Sequence, residues 1–265
     1  MPGAPEPLNP VLNIHGMVAE LVLNAPERKN ALSLAAWTRI PAVLRELTNV
    51  ADVRVCVVRG EGGKSFCAGA DISEFEAIRS TKDSALRYDE INVAAFNALK
   101  SLQIPVIAAI EGPCLGGGLG LALACDLRIA SQTAYFGIPA AKLGLAYPPE
   151  ALSDLLEAVS PSNAKRLLFT GDRISAGDAR QMGLINETVD PSDLGERIST
   201  LCDTIVSNAP LSIWAAKHAI NEMSAKAARD PETHRQNAQI CIESSDYREG
   251  CRAFLEKRLP EFTGS

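Results

Sequence analysis

The sequence is poor in aromatic residues, with Phe, Tyr and Trp together making 5% of 265 positions. That leaves little for the stacking platforms on which single-stranded nucleic acids bind. Positive charge is not in excess either. The 26 Lys and Arg stand against 32 Asp and Glu, a net charge of −6, which argues against a polyanion as the main ligand. Only three histidines occur (His15, His218 and His234), far apart, and the seven cysteines form no CxxC pair. The local ligand clusters that mark a zinc site are missing, so no metal is expected. An odd number of cysteines, several inside apolar runs, fits reduced and buried thiols. The N-terminus lacks the positive-then-apolar pattern of a signal peptide. The uncharged stretch Gly112 to Cys125 is too short and too glycine-rich to cross a bilayer as a helix. The expectation is a cytoplasmic or organelle-matrix protein with no membrane or nucleic-acid partner.

What is present describes a folded α/β chain. Hydrophobic residues at 46% and charged residues at 22% supply an ordinary core. Residues 11–23 alternate around His15-Gly16, which predicts a hairpin or two short strands. Leu32, Leu34, Trp37, Ile40, Val43, Leu44 and Leu47 recur at helical spacing, with Ser33 available as N-cap. Val53–Arg59 reads as a strand rich in β-branched residues, and Gly60 to Asp71 as a glycine-rich loop. A helix over 84–99, a strand over 105–110, a small-residue helix over about 117–125 and a strand in DLRIAS follow, with another at 134–137. Strand, glycine turn and helix alternate, as in an α/β core. From Ser160 onward helical periods dominate, through 192–206, 209–226, 231–242 and 245–258, and Ser175 with Asp178 resembles a capping box. The expected division is a core over 1–190 and a helical, assembly-forming region over 191–265.

Two glycine clusters invite misreading. Gly63-Lys64-Ser65 imitates the end of a phosphate loop, but the glycine required five residues earlier is Val58. Gly116-Gly117-Gly118-Leu119-Gly120 lacks the dinucleotide spacing. Both clusters follow parallel-type strands and so fall near one sheet edge, where backbone N–H groups can meet a ligand without side chains intervening. One N–H from each could converge on a single oxygen as an oxyanion hole. Tight helix–strand packing explains the same glycines.

The segments SFCAGADISEF at 65–75 and IPVIAAIEGPCLGGGLGLALACDLRIAS at 104–131 resemble the crotonase family, the enoyl-CoA hydratase/isomerase superfamily. FGIPAAKLGL at 136–145, LLFTGDRISAGDARQMGLINETV at 167–189 and YREGCRAFLEKRLPEF at 247–262 extend the likeness essentially end to end. The resemblance implies a crotonase-like spiral of repeated ββα units closed by a helical C-terminal region, assembled as a trimer or a hexamer. It implies an acyl-coenzyme A substrate whose thioester oxygen sits between the N–H groups of Ala70 and Gly117. Coenzyme A would run along Arg28, Lys29, Ala31, Ala68, Ala70, Asp71 and Ile72, with Lys257 of the same or a neighbouring subunit near its phosphates. No tightly bound cofactor is implied; coenzyme A arrives as part of the substrate.

One departure stands out. The two glutamates that the family's hydratases use to activate water and deliver a proton fall at Gly120 and Ala140, and neither can transfer a proton. Two-glutamate hydration is therefore not expected, although enolate stabilisation serves isomerases and decarboxylases as well. Tyr147 resembles the active-site tyrosine of methylmalonyl-CoA decarboxylases, and equally reads as a packed turn residue. Glu150 is a candidate acid, and equally the acidic first-turn residue of the following helix. A third possibility is a non-catalytic acyl-CoA binder. Asp71 is expected to tie down its loop, and Tyr88 and Asp89 to wall the acyl pocket. Glu74 and Glu90 are expected on solvated surface. Asp126 is expected to order the adjoining strand, and Cys67 and Cys114 to be inert.

Overall fold

The computed structural model describes residues 9–48, 50, 52–224 and 231–265, without the side chains of 231, 232, 234 and 235. His234 thus lies outside the described side chains, and the C-terminal part of the 209–226 helix expectation lies partly outside the described residues. The hairpin is present: β1 (Val11–His15) and β2 (Val18–Leu23) pair antiparallel from Val11↔Val22 to His15↔Val18. Helix α1 (Leu34–Leu47) is capped by Ser33, whose Oγ accepts from the Ala36 N–H at 3.2 Å. It buries Trp37, Ile40, Val43, Leu44 and Leu47, the stripe its periodicity announced.

The main sheet has the order β1-β2-β3-β4-β6-β9, with β3 (Val55–Gly60), β4 (Val106–Ile110), β6 (Leu127–Ser131) and β9 (Glu187–Val189). Every pairing beyond the hairpin is parallel. Strands buried on both faces need apolar residues throughout, and β3 and β4 supply them in alternation. Cys56, Val58, Ala108 and Ile110 face the larger core; Val55, Val57, Ile107 and Ala109 face a smaller one.

A second sheet, β5-β7-β8, comprises β5 (Pro113–Leu115), β7 (Tyr135–Gly137) and β8 (Ile174–Ser175). Parallel bridges Cys67↔Cys114 and Leu32↔Ala70 prolong it over the first glycine loop. The chain thus visits one sheet and then the other: β3 then Cys67–Ala70, β4 then β5, β6 then β7. That is the ββα spiral. Its helices are α2 (Phe75–Ile78), α3 (Lys82–Lys100), α4 (Gly117–Leu123), α5 (Pro149–Ala158), α6 (Pro161–Thr170) and α7 (Ala176–Gln181). The Ser175 cap of α7 is made in both directions with Asp178.

Helix α8 (Leu194–Val206) closes the smaller core with Leu194 and Cys202, so packing on the sheet continues past residue 190. Helices α9 (Pro210–Ser224), α10 (Pro231–Glu243) and α11 (Ser245–Glu256) follow. Asp126 accepts from the Val106 N–H at 2.7 Å and from Lys217 Nζ at 2.8 Å, tying the start of β4 to α9. Among the described residues no helix is long and apolar enough to cross a membrane, and no cluster of three potential metal ligands occurs.

Phe136 of β7 is fully buried where the two sheets meet the core. Phe136→Ala is expected to cost about 3–5 kcal/mol in a denaturant titration. A loss below about 1 kcal/mol would show that the second sheet unfolds separately from the rest.

Candidate active site

The two glycine loops meet because their backbones are stitched together. Cys67 donates its N–H to Pro113 O at 3.0 Å and accepts from the Leu115 N–H at 3.0 Å. Two residues on, the loop turns its other edge to Leu32: the Leu32 N–H donates to Gly69 O at 2.8 Å and the Asp71 N–H to Leu32 O at 2.9 Å. In a parallel bridge the intervening residue points its own N–H the opposite way. Ala70 N–H is therefore turned away from Leu32, and among the described residues it has no acceptor.

Gly117 begins α4 one residue after Gly116, whose φ of 52° and ψ of −119° only glycine adopts without strain. That turn leaves Gly117 N–H, the first of the helix, without an intrahelical partner. The fit behind it is close. A Cβ on Gly118 would lie 2.5 Å from Cys67 O, and one on Gly117 would lie 2.9 Å from Trp37 and 4.0 Å from Ala70 N. The two donors sit side by side, and both Ala70 and Gly117 line a pocket of about 130 Å³.

The pocket wall is largely apolar, with Ile72, Phe75, Phe96, Ile138, Leu143 and Leu145, and its polar members are few. Tyr147 lines it. Its hydroxyl donates to Gly116 O at 3.3 Å, and burial raises its pKa, so the phenol is protonated throughout the neutral range. Ala140 also faces the cavity.

Gly120 does not. A Cβ there would lie 2.6 Å from the Phe96 ring, so the aromatic occupies the direction in which a side chain at 120 would have to project. Phe96 itself stands edge-on to Trp37, with ring centroids 5.8 Å apart. The position carrying the first glutamate of the family's hydratases is thus both empty of a carboxylate and covered.

Glu150 needs correction. It is exposed in the first turn of α5, where Pro149 opens the helix, and it lines an outer groove beside Lys100, Asp154 and Ile213 rather than the acyl pocket. The helix start sets that direction, so Glu150 acts at the helix terminus. Glu74 is a second correction. Its Oε2 accepts from the Leu34 N–H at 2.8 Å, capping the start of α1 instead of lying free on the surface. Glu90 is exposed as expected.

Along the mouth, Arg28 and Lys29 are exposed, and Ala31, Ala68 and Ala70 are half-buried. Asn30 holds this rim together. Fully buried, it accepts from the Ala25 N–H at 3.0 Å and donates to Ser65 O at 2.7 Å. Asp71 is tied as anticipated: it accepts from Ser73 Oγ at 2.6 Å and from Arg28 at 3.1 Å, and these partners hold its carboxyl below the usual carboxylate range. Lys257 is exposed at the end of α11, and among the described residues none of α9–α11 lines the pocket within this chain.

Cys67 and Cys114 are fully buried, and burial pushes the Cys67 thiol up to about 12 and Cys114 well above its ordinary value. Neither is a nucleophile at neutral pH. His218 lies outside the pocket, near Asn237 and Glu222.

Sequence reasoning missed Arg79, Asn92 and Phe96, all of which line the cavity. Tyr88, Asn92 and Phe96 recur every four residues along α3, and that spacing was the available signal.

Two backbone donors thus sit over an apolar pocket, in a spiral of two sheets. Residues 13–265 match the family model for enoyl-CoA hydratase/isomerase. The chain belongs to that family, the crotonase superfamily, whose enzymes act on coenzyme A thioesters. It is 34% identical over 258 residues to the short-chain-enoyl-CoA hydratase of Clostridium acetobutylicum, covering 96% of this chain and 97% of that protein. It is 33% identical to the crotonyl-CoA hydratase of Syntrophomonas wolfei, covering 96% of this chain and 97% of that one. The crystal structure of enoyl-CoA hydratase from Bacillus anthracis superposes with a TM-score of 0.88 at 33% identity, over 97% of this chain and all of the other.

Asp71 supplies a test of the loop. Its lowered pKa means that its charge stabilises the fold above the unfolded carboxyl pKa of about 3.9, and that this contribution is lost as pH falls through the lower folded value. Asp71→Asn is expected to lower Tm at pH 7, with the gap to wild type closing as the pH falls below about 4 in thermal melts. An unchanged gap at pH 3 would show that the carboxylate charge is not what holds the loop.

Proposed function

We propose that this chain works on an acyl-CoA thioester by holding its carbonyl oxygen between the N–H groups of Ala70 and Gly117 while an enolate forms, and that it is not a two-glutamate hydratase. The observation that carries the reading is the pairing of two N–H groups, acceptor-free among the described residues, with a pocket whose two expected carboxylate positions are Ala140 and a Phe96-covered Gly120. The hole needs no side-chain chemistry and so is independent of those losses. In this reading coenzyme A runs along Arg28, Lys29, Ala31 and Ala68 to Ile72, and Lys257 meets its phosphates from a neighbouring subunit. The reduced cysteines suit a cytoplasmic or organelle-matrix enzyme.

Decarboxylation is the reaction these residues support best. It needs no base to remove a proton. The bond between Cα and the carboxylate breaks, carbon dioxide leaves, and the electron pair forms an enolate whose charge rests on the thioester oxygen. Tyr147, kept protonated by burial, stands at the pocket wall to orient the carboxylate or to return a proton to Cα. Isomerisation would require a base. The one carboxylate lining the pocket among the described residues, Asp89, is engaged by Arg79 at 2.5 Å.

Crotonyl-CoA hydration is expected to run about 10²–10⁴-fold below a two-carboxylate enzyme, and a kcat of about 10 s⁻¹ or more would refute the reading. Gly120→Glu with Ala140→Glu is expected to gain activity only when Phe96→Ala opens the space. Tyr147→Phe is expected to lower kcat on methylmalonyl-CoA with little change in KM, the mark of an interaction made in the transition state. Binding of acyl-CoAs without turnover of any malonyl-type thioester would leave a binder in place of an enzyme.

We further propose assembly as a trimer or a dimer of trimers. Ile220, Met223, Ile242, Phe254, Leu255 and Leu259 are exposed on the C-terminal helices and the segment after them, with Phe254 84% and Leu259 88% accessible. Clusters of this kind mark contact surfaces. Light scattering is expected to give three or six times the chain mass, and a monodisperse 28.2 kDa species would sink the assembly.

A further inference from the structure

Two aromatic rings lie against the start of α4, and one of them walls the acyl pocket. Gly117, one of the two N–H donors, and Gly120 are three residues apart on α4. They share a helix face, about 4.5 Å apart along the axis. A Cβ on Gly117 would meet the Trp37 ring at 2.9 Å, and a Cβ on Gly120 would meet the Phe96 ring at 2.6 Å. The two rings touch edge-on, with centroids 5.8 Å apart. Phe96 lines the cavity, and Trp37 stands behind it.

Phe96 has little room to yield. It is 3% exposed, Trp37 is fully buried, and the α4 backbone at Gly120 closes the remaining side. Interiors packed in this way move only at the cost of strain. The mouth of the pocket is different, since Ile72 is 60% and Leu143 49% exposed. Confinement therefore comes from the buried end. The space in front of it is about 130 Å³. An apolar cavity of about 150 Å³ holds one benzene molecule, so this pocket takes an acyl group of about six non-hydrogen atoms. Malonyl and methylmalonyl groups are close to that size, and an octanoyl chain is well beyond it.

We infer that Phe96, braced by Trp37 and admitted by the glycine at 120, is the stop that sets acyl length and confines this protein to short acyl-CoA thioesters. The inference rests on the acyl-CoA reading above and adds to it the size class of the substrate. Any side chain at 120 would displace the ring, so Gly120 and Phe96 work as one unit. The short acyl groups of malonyl-type thioesters, proposed above on other grounds, fall within the limit.

Calorimetric titration of the wild-type protein with free coenzyme A, butyryl-CoA and octanoyl-CoA tests this. Butyryl-CoA is expected to bind about tenfold tighter than octanoyl-CoA, the order of effect that extra methylenes forced into a packed interior produce. Phe96→Ala and Phe96→Leu, each checked for folding by thermal melt, are expected to shift the ratio of the two Kd values about tenfold toward octanoyl-CoA, the alanine variant further than the leucine. A ring that only supported the fold would weaken both thioesters together and leave the ratio where it was. The leucine variant, the milder change, keeps the test decisive if the alanine variant does not fold. Wild-type binding of octanoyl-CoA as tight as that of butyryl-CoA, or a ratio unmoved in the folded variants, overturns the stop and leaves the acyl-CoA reading standing. Failure of coenzyme A and of both thioesters to bind removes the acyl-CoA reading itself, and the stop with it.

Discussion

Everything at the pocket depends on how closely two backbones approach each other at Gly118 and Cys67. A single methyl on Gly118 would sit 2.5 Å from the Cys67 carbonyl, well inside van der Waals contact. That contact, with the parallel bridges on either side of the 67–70 segment, fixes the first glycine loop relative to the start of α4. Two N–H groups from distant parts of the chain then sit beside one cavity without any side chain having to place them. Preorganised donors of this kind act without reorganising as charge develops. The arrangement is accordingly indifferent to what happens at the acid–base positions.

That independence explains how the donor pair and the missing glutamates coexist in one chain. The pair is built into the sheet-to-sheet register, which also holds the core together. Of the two acid–base positions, Ala140 lies at the cavity wall and Gly120 behind Phe96. At 120 the replacement is thorough: the glycine lets the Phe96 ring lie against α4, and Phe96 in turn meets Trp37 edge-on. An aromatic pair of this geometry contributes about 0.5–1.5 kcal/mol beyond its burial. Packing fills the space there, and most of the pocket's polar side chains stand on or beside α3: Arg79, Asp89, Tyr88 and Asn92.

The C-terminal helices divide by what they cover. Helix α8 closes the second face of the sheet with Leu194 and Cys202, whereas α11 and the residues after it leave Phe254, Leu255 and Leu259 in solvent. Asp126 and Lys217 join α9 to the start of β4, so the helical region is anchored beside the end of α4. Its periodicity was plain in the sequence. What its apolar stripes meet is a matter of neighbours.

The local features were readable because their causes are local. Alternation around His15-Gly16 produced the hairpin, Ser33 and Ser175 capped the helices they precede, and β-branched runs became strands buried on both faces. The two glycine loops were readable for the same reason, since glycine spacing dictates backbone conformation over a few residues. The roles of Glu150, Glu74, Asn30 and Phe96 were not, because each depends on what lies across space from it. Helix α5 begins at Pro149 and turns Glu150 to an outer groove, while Glu74 reaches the N–H of Leu34 and Asn30 bridges two loops. The sequence by itself determined the alternation of elements, the two donor loops and the absence of glutamates at 120 and 140. Only the tertiary structure decided which side chains fill the space those glutamates would have used, because the occupant of a cavity is set by packing between segments that no local pattern connects.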